Sequence, residues 1–131
     1  MPSSLKVSAC LQPKNGCWNE LSANPKTIDE ATREHYSALY ARPNAMHDAF
    51  EQFGAFTQDA VDNKGLLGNS GKLAIPVLAV GAEKSFNTAM ADEIRFVAAD
   101  VTVGIVPASG HWVMEENPAA TSKLVVDFLR K

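Results

Sequence analysis

Two short apolar runs constrain the fold of this 131-residue chain most strongly. The first covers residues 74 to 80, and the second covers residues 101 to 106. Continuous Val, Ile and Leu runs of this length are typical of strands that are buried on both faces of a parallel sheet. A mixed stretch at residues 87 to 98 predicts a helix between them, and Pro118 favours the start of a final helix. This strand-helix-strand-helix order predicts an α/β fold with a parallel sheet.

Two strands alone are too few for a stable sheet. The sequence shows no internal repeat and no low-complexity tract that would supply more strands. We therefore expect the two strands to belong to a larger α/β architecture.

Helices are predicted ahead of the first strand. Thr27-Ile28-Asp29-Glu30 fits a capping box with Thr27 as the cap, which predicts a helix from there to about Ala41. Pro43 suits the first turn of a second helix. In that helix an apolar stripe recurs at spacings of four and three, formed by Met46, Phe50, Phe53 and Phe56. After residues 62 to 65, a loop with Gly68, Asn69, Ser70 and Gly71 is predicted.

Composition excludes several functions. The net charge of -3 without a basic stripe argues against a nucleic-acid partner. No apolar run approaches the ~20 residues of a membrane span, and residues 1 to 10 fit a secretory signal poorly, so we expect no membrane partner and a cytoplasmic location. Cys10 and Cys17 are then expected to be reduced thiols, and their spacing does not indicate a metal site.

The loop after the second strand carries the most informative residues, Ser109-Gly110-His111-Trp112. A histidine there would lie at the carboxyl edge of the sheet, where open α/β folds bind their ligands, and it is a reasonable general base. His35 and His47 fall on predicted helices without metal-spaced partners and are interpreted as surface residues.

These residues resemble the α/β-hydrolase superfamily, in the branch of epoxide hydrolases and haloalkane dehalogenases. The resemblance covers residues 25 to 131 and rests on three groups of residues. They are Ser109-Gly110-His111-Trp112 followed by Glu115, Glu116, Pro118 and Phe128-Leu129, the strand and turn from Ile75 to Lys84, and a cap-like segment from Tyr36 to Phe56.

The resemblance implies a partial α/β-hydrolase fold, in which a helical cap segment precedes the strand-helix-strand-helix of a parallel sheet. It suggests three parts, namely an irregular leader at 1–24, a helical cap-like segment at 25–70 and an α/β-hydrolase core segment at 71–131. It also implies small-molecule hydrolysis that uses no cofactor and no metal.

In this family the histidine activates the water that hydrolyses an ester between the substrate and a nucleophile, and His111 matches that position. The order along such a chain is nucleophile, acid, histidine. The sequence has no G-x-S-x-G and no comparable aspartate elbow. Ser85 stands where many relatives have the triad acid, so Glu83 substitutes, or the acid lies earlier in a parent protein, or the triad is broken.

Residues of the cap-like segment bear on which substrate the chain could bind. Phe53 aligns with a cap tyrosine that donates a hydrogen bond to the epoxide oxygen, and phenylalanine has no such donor. Tyr36 and Tyr40 lie four apart on one helix face and either line a substrate pocket or pack a core. With Phe53 and Trp112 they are the candidate substrate-binding residues.

Three functions remain open from the sequence. The first is a hydrolase portion that contributes the general base His111 while the nucleophile lies outside this sequence. The second is a non-catalytic module that self-associates through an exposed sheet edge, or whose sheet a binding partner completes. The third is a self-sufficient domain that binds a small apolar ligand between helices and strands.

Overall fold

A computed structural model of the chain describes residues 16–131. The predictions for residues 1 to 10, including Cys10, lie outside the described residues, as does the Cys17 side chain. The elements in chain order are α1 (Cys17–Leu21), a 3₁₀ turn (Pro25–Thr27), α2 (Glu30–Tyr40), α3 (Ala45–Ser70), β1 (Val77–Ala82), α4 (Ala89–Val97), β2 (Val101–Val106), α5 (Val113–Glu116) and α6 (Pro118–Leu129).

The two strands form a parallel sheet, as the sequence predicts. Val77 pairs with Val101 at one end and Ala82 pairs with Val106 at the other. Helix α4 crosses between the strands and packs on both, while α6 packs on β2. The buried apolar residues at this junction are mostly small: Ala79, Ala82, Ala91, Ala98 and Val106.

The bounds of β1 differ from the prediction because of Pro76. The apolar run begins at residue 74, but Ile75 is exposed and the strand begins at Val77. Proline has no N–H for the ladder and favours the first residue of a strand or the position before it. The strand instead continues two residues further, to Ala82.

The first long helix begins at a different cap from the one predicted. The carboxylate of Asp29, and not the hydroxyl of Thr27, caps α2 by accepting a hydrogen bond from the Thr32 amide at 2.8 Å. Thr27 instead ends the 3₁₀ turn, which Asn24 caps through the Lys26 amide. Aspartate is at least as good a cap as threonine, and this choice moves the cap and the helix start by two residues.

The predicted loop at residues 68 to 71 is wrong, because α3 continues to Ser70. Its glycines are exposed and a Cβ at Gly65 or Gly68 would meet nothing within 4 Å, so each costs only about 1 kcal/mol relative to alanine. The helix ends at Gly71, whose positive φ of 72° places it in a conformation that favours glycine.

Two short helices, α1 and α5, were not predicted. Residues 17 to 21 were expected to belong to an irregular leader, yet they form a helical turn that packs beside the loop after β2. Four or five residues are too few to show an apolar period, so such helices are determined by tertiary contacts.

Large apolar side chains are exposed on several elements. Phe53 and Phe56 of the α3 stripe are 55% and 59% exposed, and Phe96 of α4 is 67% exposed. In the final helix Val125 and Leu129 are exposed as well, Leu129 at 74%. Within residues 16–131 no helix has the length and apolar character that crossing a membrane requires.

Candidate functional site

His111 lies on the loop that leaves the carboxyl end of β2, and its side chain is exposed. The loop is anchored before the histidine, because Ser109 is fully buried and its carbonyl accepts a hydrogen bond from the Lys84 amide at 3.0 Å. Ala108 has a positive φ of 52°, which turns the chain away from the strand direction. A rigid turn therefore presents the imidazole at the edge of the sheet.

Gly110 allows a second segment, residues 21–24, to lie directly against this loop. A Cβ at Gly110 would stand 2.3 Å from the Leu21 carbonyl oxygen and 2.6 Å from the Ala23 amide nitrogen. The His111 amide donates to the same Leu21 oxygen at 2.9 Å. Only glycine fits this close approach of backbone to backbone.

The carboxylate of Glu116 joins the two segments. Its Oε1 accepts from the amides of Gly110 at 3.0 Å and Trp112 at 3.1 Å, on either side of His111. Its Oε2 accepts from the amides of Ala23 at 2.6 Å and Asn24 at 3.4 Å. One side chain thus satisfies backbone donors from both segments.

An aromatic cluster packs beside the histidine loop. The rings of Trp18 and Trp112 have centroids 4.3 Å apart, Trp18 and Tyr36 are 5.3 Å apart, and the His111 ring meets Trp112 edge-on at 4.8 Å. Among the described residues the buried Trp112 Nε1 has no hydrogen-bond partner. Trp112 packs the loop against Trp18 of α1, and Trp18 in turn contacts Tyr36 of α2.

Tyr36 connects helix α2 to the short helix α5. Its hydroxyl donates to Glu115 Oε1 at 2.8 Å. This hydrogen bond to the carboxylate, followed by the nearby negative charge, raises the pKa of the Tyr36 phenol, because both favour the neutral phenol.

The candidate substrate-binding residues fall into two places. Tyr36 and Tyr40 line one groove of about 390 Å³, whose other lining residues are Leu39, Arg42, Ala45 and Asp48. Phe53 is not among them and instead packs on Phe56 along α3 at a centroid distance of 5.2 Å. Trp112 lies in the aromatic cluster, which Tyr36 links to the groove.

Glu83, the candidate acid, follows β1, and its carboxylate contacts the backbone of the histidine loop. Its Oε2 accepts from the Ala108 amide at 2.6 Å. Among the hydrogen bonds of residues 16–131 none joins Glu83 to the His111 ring. Ser85, at the expected acid position, lies in the turn after β1, where its amide bonds the Ala82 carbonyl.

The other two histidines lie on helices α2 and α3. His35 is exposed and meets Tyr36 edge-on, and His47 is exposed near Asp48 and Glu51. In the part of the chain that is described, no three His, Cys, Asp or Glu side chains are grouped as a metal site would require.

Sequence reasoning missed Glu116 and Trp18 as parts of this site. Glu116 lies just before a helix, where negative charge is favourable in general, so its position in the sequence does not indicate a specific role. Trp18 lay in a segment without periodicity. A glycine directly before the histidine was the available signal that another backbone lies against the loop.

The chain is similar to known proteins in its structure. No family model matches the sequence, and a search of curated proteins found no match. Solved structures do match. Cfl2 wild-type from Burkholderia cenocepacia is 30% identical with a TM-score of 0.78, and the match covers 83% of this chain and 37% of that one. The Cif epoxide hydrolase from Acinetobacter nosocomialis is 25% identical with a TM-score of 0.80, over 95% of this chain and 41% of that one.

The chain thus spans about two fifths of the length of these solved structures. The chain therefore has the fold of part of an α/β-hydrolase, and it is similar in structure to the Cif epoxide hydrolase of this superfamily.

Proposed function

We propose that this chain contributes the general base His111 to an epoxide hydrolase-like reaction, in which it activates water to hydrolyse an ester intermediate. The observation that carries the proposal is the anchored loop beyond β2. The His111 amide and both neighbouring amides are hydrogen-bonded, while the imidazole itself is exposed at the carboxyl end of the sheet. This is where α/β folds bind their ligands.

His111 takes part in one step of this reaction. The neutral imidazole takes a proton from water, and the resulting hydroxide attacks the carbonyl carbon of the ester. The bond from that carbon to the product oxygen then breaks, and the product oxygen takes up a proton. The nucleophile is regenerated with an oxygen from water.

The nucleophile for this reaction must come from outside this sequence, which has no nucleophile elbow. The residues once expected to form a loop at 68 to 71 belong to α3 and its end, so they offer no elbow either. Glu83 is the candidate acid within the chain, because it follows the strand next to the histidine loop.

We assign the substrate to epoxides, the class that the similar Cif epoxide hydrolase from Acinetobacter nosocomialis hydrolyses. The groove that Tyr36 and Tyr40 line is the candidate binding surface, and Tyr40 is the phenol there that is not hydrogen-bonded to Glu115. Haloalkane hydrolysis passes through the same kind of ester and is the alternative. The cytoplasmic location expected from the sequence stays a prediction.

The experiment is a chimaera in which residues 16–131 replace the matching part of the Acinetobacter nosocomialis Cif epoxide hydrolase. Epoxide hydrolysis by this chimaera, and its loss in His111→Gln, is the expected result. His35→Gln is the matched control, since it removes a histidine from an exposed position on α2. Equal rates for the two variants would contradict the proposal. If the full replacement does not fold, transfer of residues 107 to 117 alone poses the same question.

The exposed apolar surface favours a second candidate function, a module whose sheet is completed by association. Within the described range the sheet has two strands, so each has one unpaired edge. Exposed Phe96 and Leu129 lie on the two helices that pack on these strands. Light scattering tests self-association, with a concentration-dependent mass expected and a constant monomer mass as the contrary result.

A further inference from the structure

Glu116 is hydrogen-bonded to more backbone donors than any catalytic role in the proposed function requires. Each of its two oxygens accepts hydrogen bonds from a different stretch of backbone. Oε1 faces the amides on either side of His111, and Oε2 faces the amides of Ala23 and Asn24. An ionised carboxylate is the side chain that accepts on two oxygens at once, and such charge-assisted bonds are stronger than neutral ones.

The second segment is itself tied to the histidine. Leu21, which ends α1, accepts from the His111 amide, and α1 also carries Trp18, which packs on Trp112. Trp112 in turn contacts the His111 ring. The direction of the imidazole therefore depends on how segment 21–24 sits against the loop, and Glu116 is the side chain that joins them.

From this geometry we infer that Glu116 is a positioning residue for His111: its carboxylate fixes the loop of the general base to segment 21–24 and thereby sets the orientation of the imidazole. The inference rests on the proposed function for its catalytic meaning. Its structural content, that one carboxylate determines where the His111 ring points, stands on the hydrogen bonds alone.

The test uses the full chain and the substitution Glu116→Gln. An amide oxygen can replace one carboxylate oxygen, but the NH₂ group then faces backbone donors and cannot accept from them. Glu115→Gln is the matched control, because it removes the same charge one residue away and leaves these four amides untouched. Three readouts are compared by NMR and calorimetry: amide exchange at Gly110 and Ala23, the ring-proton shifts of His111, and the thermal midpoint.

We expect Glu116→Gln to lower exchange protection at Gly110 or Ala23 by on the order of tenfold or more. We also expect the His111 ring protons, which Trp112 shifts in the wild type, to move toward the values of an unpacked histidine. The Glu115→Gln control keeps both. If Glu116→Gln does not fold, Glu116→Asp retains the charge on a side chain one methylene shorter and is read in the same way.

A lower thermal midpoint with unchanged His111 ring shifts would show a merely structural role and overturn the inference. The same loss of protection in both glutamine variants would overturn it as well. None of these readouts needs turnover, so the two proposals fail separately. A displaced ring in Glu116→Gln together with a chimaera indifferent to His111→Gln supports the positioning of the ring and removes its role as general base.

Discussion

Substituting Gly110 by alanine tests whether segment 21–24 really lies on the histidine loop. The new Cβ would stand 2.3 Å from Leu21 O, 2.6 Å from Ala23 N and 2.9 Å from Ser22 C. All three are backbone atoms, so no flexible side chain can move aside. Relief requires the segments to separate by about 1 Å.

That separation has a calculable cost. Overpacking of this kind costs about 1–3 kcal/mol, and it also stretches the hydrogen bond from His111 N to Leu21 O, which contributes about 1 kcal/mol. The expected loss in the free energy of unfolding is therefore about 2–4 kcal/mol. Gly65→Ala is the control and has the opposite sign, since its Cβ meets nothing within 4 Å in the exposed helix α3 and alanine favours a helix by about 1 kcal/mol.

Urea denaturation followed by tryptophan fluorescence measures both variants, because Trp18 and Trp112 report on this part of the molecule. With a typical slope the Gly110→Ala midpoint falls by roughly 1 M, and the Gly65→Ala midpoint rises. A Gly110→Ala protein as stable as Gly65→Ala would refute the packing of the loop against segment 21–24.

Three further perturbations test the surroundings of the site. Arg33→Met removes a buried guanidinium that bonds the Ile28 and Pro25 carbonyls and should cost about 2 kcal/mol or more, while Arg42→Met on the surface changes little in the same urea titration. Glu115→Gln should move the ultraviolet titration of the Tyr36 phenol to lower pH. The raised pKa of Tyr36 also means that its stabilising contribution is complete below about pH 10 and is lost as the pH rises through the folded-state pKa, which chemical denaturation at alkaline pH measures. The hydrogen bonds from Thr32 lower the pKa of Asp29, so its contribution to stability is present above the ordinary aspartate pKa and is lost as the pH falls through the folded-state pKa. Asp29→Ala should therefore flatten the fall of stability with acid. An unchanged fall would contradict the capping role of Asp29.

The strands and the final helix were predictable because their signals are local. Residues 101 to 106 form a strand with the bounds that the apolar run indicates, and Pro118 begins α6 as expected. An apolar run carries the burial of a strand in its own composition, and proline at the first helical turn has no N–H to satisfy.

The candidate site was only partly predictable because its contacts span the chain. His111 could be proposed from its loop and from the resemblance to a known family. Glu116 and Trp18 could not, since the first acts on residues 92 and 93 positions away and the second lies in a segment without periodicity. Likewise the polar stretch 62 to 71 has loop composition, yet the weak cost of its glycines let the helix continue through it.

The central claim is that His111 activates the water that hydrolyses the ester intermediate, and the mass of the chimaera during turnover tests it most directly. With an epoxide substrate, the His111→Gln chimaera should accumulate a covalent adduct whose mass equals protein plus substrate, whereas the parent chimaera clears it. An adduct that disappears equally fast with glutamine at this position would show that another group activates the water.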